Sequence, residues 1–470
     1  MSEPLAALRS VCPDGWLVGG ALRDRLLGRA TFDYDVVVPA DGRRAARALG
    51  RACSAHSFEL SEGFGAWRVI ARDRSWQVDI LPVEGDSIEA DLARRDFTIN
   101  AIAEPLRGGE LMDPFGGVED LRGRRLRMVS PGAFAADPLR TLRLARLACE
   151  LEFDDVDDAT LTAARESAGA LTAVAGERVF AELKRVVISD RALGGLALMD
   201  TVGATDAILP ELTALRGVEQ SPYHHLDVLD HTRAVLRETV AVTDDGEGAA
   251  WLGEHGSAVA ELLAEPLANE LTRGQALRFG ALFHDIAKPQ TRSVTSEGRV
   301  TFIGHDALGA EMARDVLARL RTSERLADYV AGLVRHHLVL GFLVHATPLD
   351  RRAIYRYLRA CEPVEVEVTL LSVADRLATR GRGADEAIAR HLELARQLLG
   401  EALHWRREPP RPPVDGRALS RELGLLPGPE VGRLLAELEE ASFAGEIKSS
   451  EEALARAREM LGGRAPGEDR

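Results

Sequence analysis

The sequence predicts an α+β protein, in which a small mixed sheet with helices forms the front of the chain and helices form the rest. Residues 1–130 contain short runs typical of strands (WLVGG, FDYDVVV, AWRVIA and WQVDILPV) and a helical stretch at Arg43–Arg51. From about residue 138 the chain is rich in Ala, Leu and Arg with helical periodicity nearly to its end. A chain of 470 residues is too long for one core, so we expect about two to four domains.

Composition narrows the class of protein. The net charge of −15 argues against indiscriminate nucleic-acid binding, so any contact with RNA must come from local clusters of arginine. The four cysteines lie far apart without a CxxC motif, which supports neither a disulfide framework nor a cysteine zinc site. Apolar runs are short and the N-terminus has no apolar signal region, so we expect a cytoplasmic protein without a membrane segment.

The most informative segment is Leu17–Val38, LVGGALRDRLLGRATFDYDVVV. Its second half predicts a strand in which Asp33 and Asp35 project to one face, because side chains alternate along a strand. Two neighbouring carboxylates repel each other, and a divalent cation such as Mg²⁺ removes that repulsion. The alternative without a metal ion is an edge strand whose two aspartates are simply exposed to solvent.

A Gly-Gly pair and an arginine precede the two aspartates. Gly19 and Gly20 allow backbone amides to approach an anion, and Arg23 adds a charged donor. Each fragment alone is more often a simple turn or a surface charge. Together with the aspartates they predict a site for a triphosphate with Mg²⁺.

Two further segments carry candidate site residues. Asp79, in the strand-like run WQVDIL, is the predicted third catalytic carboxylate, because acidic residues are uncommon in buried strands without a partner. In Asp91–Ala101, DLARRDFTINA, the grouping of Arg95, Asp96 and Asn100 predicts a sugar-recognition element in which Asp96 accepts a hydrogen bond from a ribose hydroxyl. The alternative for this second segment is a surface cluster of ion pairs.

A possible base-reading pair follows in DPLRTLRLARLACEL. Asp137 and Pro138 form an N-cap signature, and capping is the alternative role of this aspartate. Asp137 and Arg140 are three residues apart and would share a helix face. The carboxylate acceptor beside the guanidinium donor complements the amino group and ring nitrogen of cytosine or adenine. Guanine and uracil present the opposite hydrogen-bonding pattern and would be rejected. Such a pair would replace a templating base.

Five ordered motifs give the chain a family resemblance over roughly residues 10–215. LVGGALRD…DYD, DLARRDFTINA, DPFGGVEDL, DPLRTLRLARL and ERVFAELKR together resemble the class II tRNA nucleotidyltransferases, which comprise CCA-adding enzymes, CC-adding and A-adding relatives, and bacterial poly(A) polymerases. The resemblance implies in-line attack of a tRNA 3′-hydroxyl on the α-phosphate of CTP or ATP, with pyrophosphate leaving. It implies that the motif residues bind Mg²⁺ (Asp33, Asp35), the triphosphate (Gly19, Gly20, Arg23), and the ribose and base (Arg95, Asp96, Asn100, Asp137, Arg140), with Arg143 assisting the phosphates or orienting Arg140.

One position departs from the family pattern. The family usually has Glu directly before the base-reading Asp, and this chain has Ala136. The change would loosen base choice or suit an enzyme that adds only one type of nucleotide. Addition of CCA, of A only or of CC only therefore stays open. A poly(A) polymerase ranks last, because the stretch after the first motif lacks an arginine-rich run.

A second constellation of histidines and aspartates lies in the middle of the chain. It begins at Tyr223-His224-His225 and continues through His231, His284, Asp285, His305, His336, His337 and Asp375. Imidazole and carboxylate ligands suit several divalent ions, including Mn²⁺, Ni²⁺, Fe²⁺, Mg²⁺ and Zn²⁺. The spacing resembles the HD phosphohydrolase superfamily. That resemblance implies the ligand set His231, His284, Asp285, His305, His336 and Asp375, with His337 as the alternative to His336, and hydrolysis of a phosphoester by metal-bound hydroxide.

The C-terminal segment from Val414 resembles the small helical tail of many CCA-adding and A-adding enzymes, and EPPRPP before it predicts a stiff linker. We therefore predict four parts: a nucleotidyltransferase head (1–135), a helical neck (136–215), an HD domain (216–405) and a helical tail (414–462). An alternative of another class is an HD phosphohydrolase with a degenerate RNA-binding front half. The intact pair Asp33 and Asp35 argues against it, and Ala136 argues weakly for it.

Overall fold

The structure is a computed structural model that describes residues 4–39, 41–61, 65–220, 226–244, 246–346, 348–380 and 384–462. The histidines His224 and His225 lie outside these ranges. The chain divides into two compact units, Met1–Ile208 and Leu209–Arg470. The finer division into four parts stays a prediction.

A six-stranded mixed sheet forms the centre of the first unit, with the strand order β3-β4-β5-β2-β1-β6. Strands β2 and β5 are parallel, and the other neighbours are antiparallel. The runs predicted from sequence are all strands, whereas the exposed β3 and the three-residue β6 were not predicted. The strands are β1 (Trp16–Val18), β2 (Asp33–Val38), β3 (His56–Ser61), β4 (Ala66–Ile70), β5 (Gln77–Pro82) and β6 (Ala103–Pro105).

Helices cover the two faces of this sheet unequally. On one face the amphipathic helix α3 buries Ala45, Ala46 and Leu49, and its Arg43 and Arg47 lie over the Trp67 ring of β4. On the other face α4 packs at the β1–β2 end of the sheet. The helices of this part are α1 (Pro4–Val11), α2 (Gly19–Leu26), α3 (Gly42–Cys53), α4 (Ile88–Ala93), α5 (Gly117–Arg122) and α6 (Ala133–Ala136), with a 3-10 turn at Thr98–Asn100.

The rest of the first unit is helical apart from the short parallel pair β7 (Arg125–Leu126) and β8 (Asp155–Val156). Helix α7 packs against α9 and α10 through an apolar stripe that includes Leu144 and Leu147. The helices are α7 (Arg140–Leu151), α8 (Asp158–Ser167), α9 (Gly176–Val187), α10 (Ala192–Thr201) and α11 (Ala204–Ile208), with a 3-10 segment at Ala168–Ala173.

The second unit is almost wholly helical, as predicted. In its centre α13 packs against α15 and α21, and α17 packs against α18. Its helices are α12 (Pro210–Thr213), α13 (Val228–Thr243), α14 (Gly256–Ala264), α15 (Arg273–Phe283), α16 (Lys288–Thr291), α17 (His305–Arg319), α18 (Glu324–His336), α19 (Val339–Leu343), α20 (Arg351–Cys361), α21 (Glu365–Ala378) and α22 (Ala384–Arg407). Two short hairpins are formed by β9 (Pro266–Ala268) with β10 (Leu271–Thr272), and by β11 (Ser293–Val294) with β12 (Val300–Thr301).

After the Pro-rich linker, three helices form a small core of their own around Leu419, Leu434 and Leu438. They are α23 (Gly416–Leu423), α24 (Pro429–Phe443) and α25 (Ser450–Gly462). The segment Asp244–Glu254 has the composition of a loop, but the structure has 3-10 turns over Glu247–His255. The buried Trp251 and Leu252 explain the difference, because they anchor this segment to the bundle.

One stretch, Glu324–Ala346, is long and apolar enough to cross a membrane by length and composition alone. In the structure it is broken into α18, α19 and a 3-10 turn at Val344–Ala346. Its Val330 and Leu333 are fully buried in the helical bundle. Burial inside a bundle accounts for its apolar character equally well.

Candidate active sites

The strand β2 carries the two aspartates at the start of the first site. Asp33 and Asp35 are two residues apart on it and therefore share a face of the sheet. Gln77 donates a hydrogen bond from Nε2 to Asp33 Oδ1 (3.0 Å). Burial, and then the charge of Asp33, raises the pKa of Asp35 to about 6. A divalent cation would relieve both penalties, so the donor set fits Mg²⁺.

Gly19 begins helix α2 directly beside Asp35. Its φ is +69°, and a Cβ here would lie 2.8 Å from Asp35 Oδ2 and 3.2 Å from Arg95 Nη1. Only glycine fits both the backbone conformation and this close approach. The preceding Val18 offers no side-chain cap, so the first amides of α2 are available to an anion.

A cavity of about 310 Å³ opens at this point. Its four arginines offer charged donors to a triphosphate, and four carboxylates in the same wall balance their charge. The polar side chains that line it, together with Gly19 and Gly20, are Asp35, Glu84, Asp91, Arg94, Arg95, Asp96, Asn100, Arg140 and Arg143.

Asp96 is the buried centre of a polar network in the cavity wall. Its Oδ1 accepts hydrogen bonds from the Phe97 amide (2.8 Å) and from Asn100 Nδ2 (3.0 Å), and Arg143 Nη1 lies 3.2 Å from Oδ2. Burial alone would raise the pKa of Asp96, but Arg143 and these hydrogen bonds hold it below its usual value. Asp96 is therefore ionised and positions Asn100 and Arg143 toward the cavity.

Arg23 lies behind the cavity instead of lining it. Its Nη1 donates to Asn100 Oδ1 (2.9 Å) and its Nε donates to Asp24 (2.8 Å). Arg23 lies in the second turn of α2, from which its side chain reaches Asn100, and only 8% of the residue is exposed. The structure shows that Arg23 holds Asn100. Its direct contact with the triphosphate stays a prediction.

Asp137 and Arg140 do not form the pair on one helix face that the sequence predicts. Asp137 has an extended backbone and precedes α7, which begins at Arg140. Asp137 Oδ2 accepts a hydrogen bond from Arg178 Nη2 (3.0 Å). The guanidinium of Arg140 donates to the carbonyl oxygens of Arg94, Arg95 and Ala133 (2.6, 3.1 and 3.0 Å). Asp137 and Arg140 are thus held by different partners. Nothing in the sequence around Arg178 indicates its contact with Asp137.

Asp79 lies in register beside Asp35, but Arg68 already binds it. Arg68 donates from Nε to Oδ1 and from Nη2 to Oδ2, both at 2.7 Å. This bidentate ion pair occupies both oxygens of the predicted third carboxylate. Arg68 was not predicted, and it lies beside Asp79 because β4 and β5 pair in this register.

The second site brings the histidines and aspartates of the helical unit together around Asp285. The Nε2 atoms of His284, His305 and His337 lie 3.1, 3.3 and 3.9 Å from its carboxylate oxygens. His231 Nε2 lies 3.0 Å from Asp375 Oδ1 and 3.7 Å from Asp285 Oδ2. The side chains come from α13, α17, α21 and the ends of α15 and α18.

Three of these histidines share one backbone contact. Nδ1 of His284, His305 and His337 donates to the carbonyl oxygen three residues earlier (2.8, 2.6 and 2.7 Å). In the neutral ring this leaves the Nε2 lone pair directed at a carboxylate that also only accepts. The Nε2 lone pairs and the carboxylate oxygens repel each other unless a cation lies between them. The cluster therefore fits a divalent metal ion.

Electrostatics in this cluster favour an ionised Asp285 and a neutral His337, whereas Asp285 raises the pKa of His284 although burial alone would lower it. His284 and Lys288 hold the pKa of Asp285 well below its usual range, although burial alone would raise it. Burial, followed by the neighbouring His284, lowers the pKa of His337 to about 4. Lys288 Nζ lies 2.7 Å from Asp285 Oδ2 and was missed in sequence, although it follows Asp285 by one helical turn.

His337, not His336, belongs to this cluster. His337 is 1% exposed, and its Nε2 atom lies 3.3 Å from the Nε2 atom of His305. His336 is only half-buried and lies beside the exposed Arg335. Consecutive helical residues point about 100° apart, so only one of the pair can face the site. The predicted ligand His336 is therefore replaced by His337.

A cavity of about 840 Å³ adjoins the cluster. Lys288, Arg376 and Arg390 give part of its wall a positive charge, which suits a phosphate group. The buried His391, whose Nε2 lies 3.2 Å from Ser372 Oγ, also lines it. Together, the fold and the two sites define a nucleotidyltransferase head followed by a helical domain of the HD type.

Comparison with known proteins agrees with this class. Family models match as the poly A polymerase head domain over residues 15–127, the probable RNA and SrmB-binding site of polymerase A over 155–215, and the HD domain over 252–380. The chain is 36% identical to the A-adding tRNA nucleotidyltransferase of Deinococcus radiodurans, over 94% of each chain. It is also 36% identical to the CC-adding tRNA nucleotidyltransferase of Thermus thermophilus, over 96% of this chain and 94% of that protein.

A solved structure of a CCA-adding enzyme in an apo form shares the fold, with a TM-score of 0.66 at 20% identity over 99% of this chain and 94% of that chain. The chain belongs to the family of tRNA nucleotidyltransferases and poly(A) polymerases, in a form that carries an HD domain. Nucleotidyltransferase and HD families generally need divalent metal ions.

Proposed function

We propose that the protein adds C, A or both to the 3′ end of tRNA without a template, using CTP and ATP and releasing pyrophosphate. The observation that carries this proposal is the pair Asp33 and Asp35 beside an arginine-lined cavity at the start of α2. The relatives are named as A-adding and CC-adding tRNA nucleotidyltransferases, which supports these nucleotides and this RNA. We expect the enzyme to act in the cytoplasm.

Asp33 and Asp35 would hold Mg²⁺, which activates an attacking hydroxyl and neutralises the leaving group when bound. The amides at Gly19 and Gly20 and the guanidinium of Arg95 would bind the triphosphate. Asp96 fixes Asn100 at the place where the ribose would lie.

Base selection would fall to Asp137 and Arg140. The carboxylate would accept from the exocyclic amino group of cytosine or adenine, and the guanidinium would donate to the ring nitrogen. Arg178 holds the first and three backbone carbonyls hold the second, so both are fixed before a nucleotide arrives. Fixed groups select better than mobile ones because their ordering cost is already met.

We propose a second activity for the cluster around Asp285, the hydrolysis of phosphoesters. His231, His284, Asp285, His305, His337 and Asp375 would hold one or two divalent ions, with Mn²⁺, Ni²⁺, Fe²⁺ and Mg²⁺ as candidates. The metal would supply a hydroxide nucleophile. Lys288, Arg376 and Arg390 would hold the phosphate in the cavity.

One assay separates the nucleotide repertoires. Transcripts of tRNA that lack CCA, lack only the final A, or are complete are incubated with Mg²⁺ and labelled CTP or ATP. Extension by CCA, by CC, by A or by a long tail identifies which enzyme this is. No incorporation by the wild-type protein on any transcript would contradict the proposal, and that result would favour an HD phosphohydrolase with a degenerate front half.

A further inference from the structure

Four directly paired residues form a row across the catalytic sheet. Phe58 on β3 pairs with Arg68 on β4, Arg68 with Asp79 on β5, and Asp79 with Asp35 on β2. Paired residues on neighbouring strands project from the same face. Phe58 and Arg68 therefore lie on the face of the catalytic aspartates, toward the β3 edge.

This part of the face is open. Helix α3 covers the opposite face, where it packs over Trp67, the neighbour of Arg68 on β4. Phe58 is 46% exposed although it is a large aromatic residue. Arg68 uses Nε and Nη2 for Asp79, and within the described residues its Nη1 makes no hydrogen bond.

The nucleotide cavity reaches Asp35 but includes neither Phe58 nor Arg68. Its lining comes from β1, β2 and β5 and from segments after them, with Gly19 on the β1 side. In phosphoryl transfer the attacking and leaving oxygens lie roughly in line on opposite sides of the phosphorus. With the triphosphate bound at Gly19, as proposed above, the attacking hydroxyl would reach Asp33 and Asp35 from the side away from Gly19, where Arg68 and Phe58 lie.

We propose that Phe58 and Arg68 form the subsite for the 3′-terminal nucleotides of the RNA acceptor. The Phe58 ring offers a stacking surface for a base, and aromatic stacking serves any base sequence. Arg68 Nη1 offers a donor to a backbone phosphate, and Asp79 fixes the guanidinium plane for that contact. The acidic neighbours Asp33 and Asp35 are the groups that Mg²⁺ would neutralise. This subsite rests on the proposed transfer reaction.

The test separates the KM for tRNA from the KM for CTP or ATP in the full-length protein. We expect Phe58→Ala to raise the KM for tRNA about tenfold, from the loss of one stacked base, and to leave the nucleotide KM unchanged. Phe32→Ala is the matched control, because Phe32 is even more exposed but lies before β2, outside the row of paired residues. Equal KM values for tRNA in these two variants would overturn the stacking role.

The role of Arg68 is tested by the salt dependence of the KM for tRNA. A purely structural role would leave this dependence unchanged. For Arg68→Gln we expect the slope of log KM for tRNA against log salt concentration to fall by about 0.7, as for one lost contact to single-stranded RNA, with Arg68→Lys restoring most of it. An unchanged slope, or a rise in the nucleotide KM alone, would overturn the phosphate contact. Failure of the transfer reaction itself is distinguishable, because the wild-type protein would then extend no transcript.

Discussion

The two candidate metal sites of this protein use opposite environments. In the head, Asp33 is exposed and Asp35 half-buried on a strand beside an open cavity. In the helical unit, His231, His284, Asp285 and His337 are at most 1% exposed and lie in van der Waals or hydrogen-bond range of one another. An open carboxylate pair suits an ion that exchanges with the nucleotide, whereas a buried imidazole cluster suits an ion that stays.

Ligand chemistry explains the contrast. Mg²⁺ prefers a few carboxylates with water and substrate phosphates, and keeps several waters when bound. Imidazole nitrogens with carboxylates suit Mn²⁺, Fe²⁺, Ni²⁺ or Zn²⁺. The carbonyl contacts at Nδ1 of His284, His305 and His337 orient these ligands in advance. The helical unit should therefore hold its metal through purification, while the head should not.

A large effect is expected from removing a buried ligand. His337→Ala should weaken metal affinity at the cluster by at least about 100-fold, because losing a ligand costs more than losing an outer-shell partner. Metal content by elemental analysis and phosphoester hydrolysis should fall together. His336→Ala, one residue away and outside the cluster, should keep both. Equal metal content in the two variants would break the contrast between the buried and open sites.

A smaller effect is expected in base choice. Asp137→Ala should reduce the preference for CTP and ATP over UTP and GTP about tenfold, since one well-placed polar pair discriminates by about 1–3 kcal/mol. Arg178→Gln should reduce it less, because Asp137 keeps its carboxylate but loses the partner that holds it. The ratio of kcat/KM values for the four nucleotides measures both. An unchanged ratio in Asp137→Ala would remove this residue from base reading.

Sequence reasoning identified the elements whose signals are local. The strand of Asp33 and Asp35 and the glycines before it follow from alternation and composition, and most of the histidine cluster follows from the resemblance to the HD superfamily. The contacts of Asp79 and Asp137 could not be predicted, because their partners Arg68 and Arg178 meet them only through the tertiary fold. The choice of His337 over His336 depends on where α18 faces the bundle, which periodicity alone does not specify.

The smallest expected effect is on stability, and its sign differs between the sites. The native pKa of Asp35 is raised to about 6, so ionising this carboxyl destabilises the fold. This cost is absent near pH 4, grows as the pH rises, and is complete above pH 6. Without metal, Asp35→Asn should raise the free energy of unfolding at pH 8 by about 1 kcal/mol, a value reduced for partial exposure. Near pH 4 the substitution should change the free energy of unfolding little.

Asp285→Asn should have the opposite effect and lower the free energy of unfolding at neutral pH. The native pKa of Asp285 is lowered, so its carboxylate contributes stability above its unfolded pKa that disappears as pH falls. In chelator, this variant should be less stable than the wild-type protein at pH 7. Denaturant unfolding at several pH values measures both variants. The same sign of change for Asp35→Asn and Asp285→Asn at neutral pH would contradict the electrostatic contrast.

The central claim is that the open aspartate pair transfers nucleotides independently of the buried cluster. Incorporation of labelled CTP and ATP and hydrolysis of p-nitrophenyl phosphate are measured for Asp33→Ala and His284→Ala. Asp33→Ala should lose incorporation by at least about 1,000-fold and keep hydrolysis, and His284→Ala should do the reverse. Incorporation at the wild-type rate in Asp33→Ala would contradict the claim.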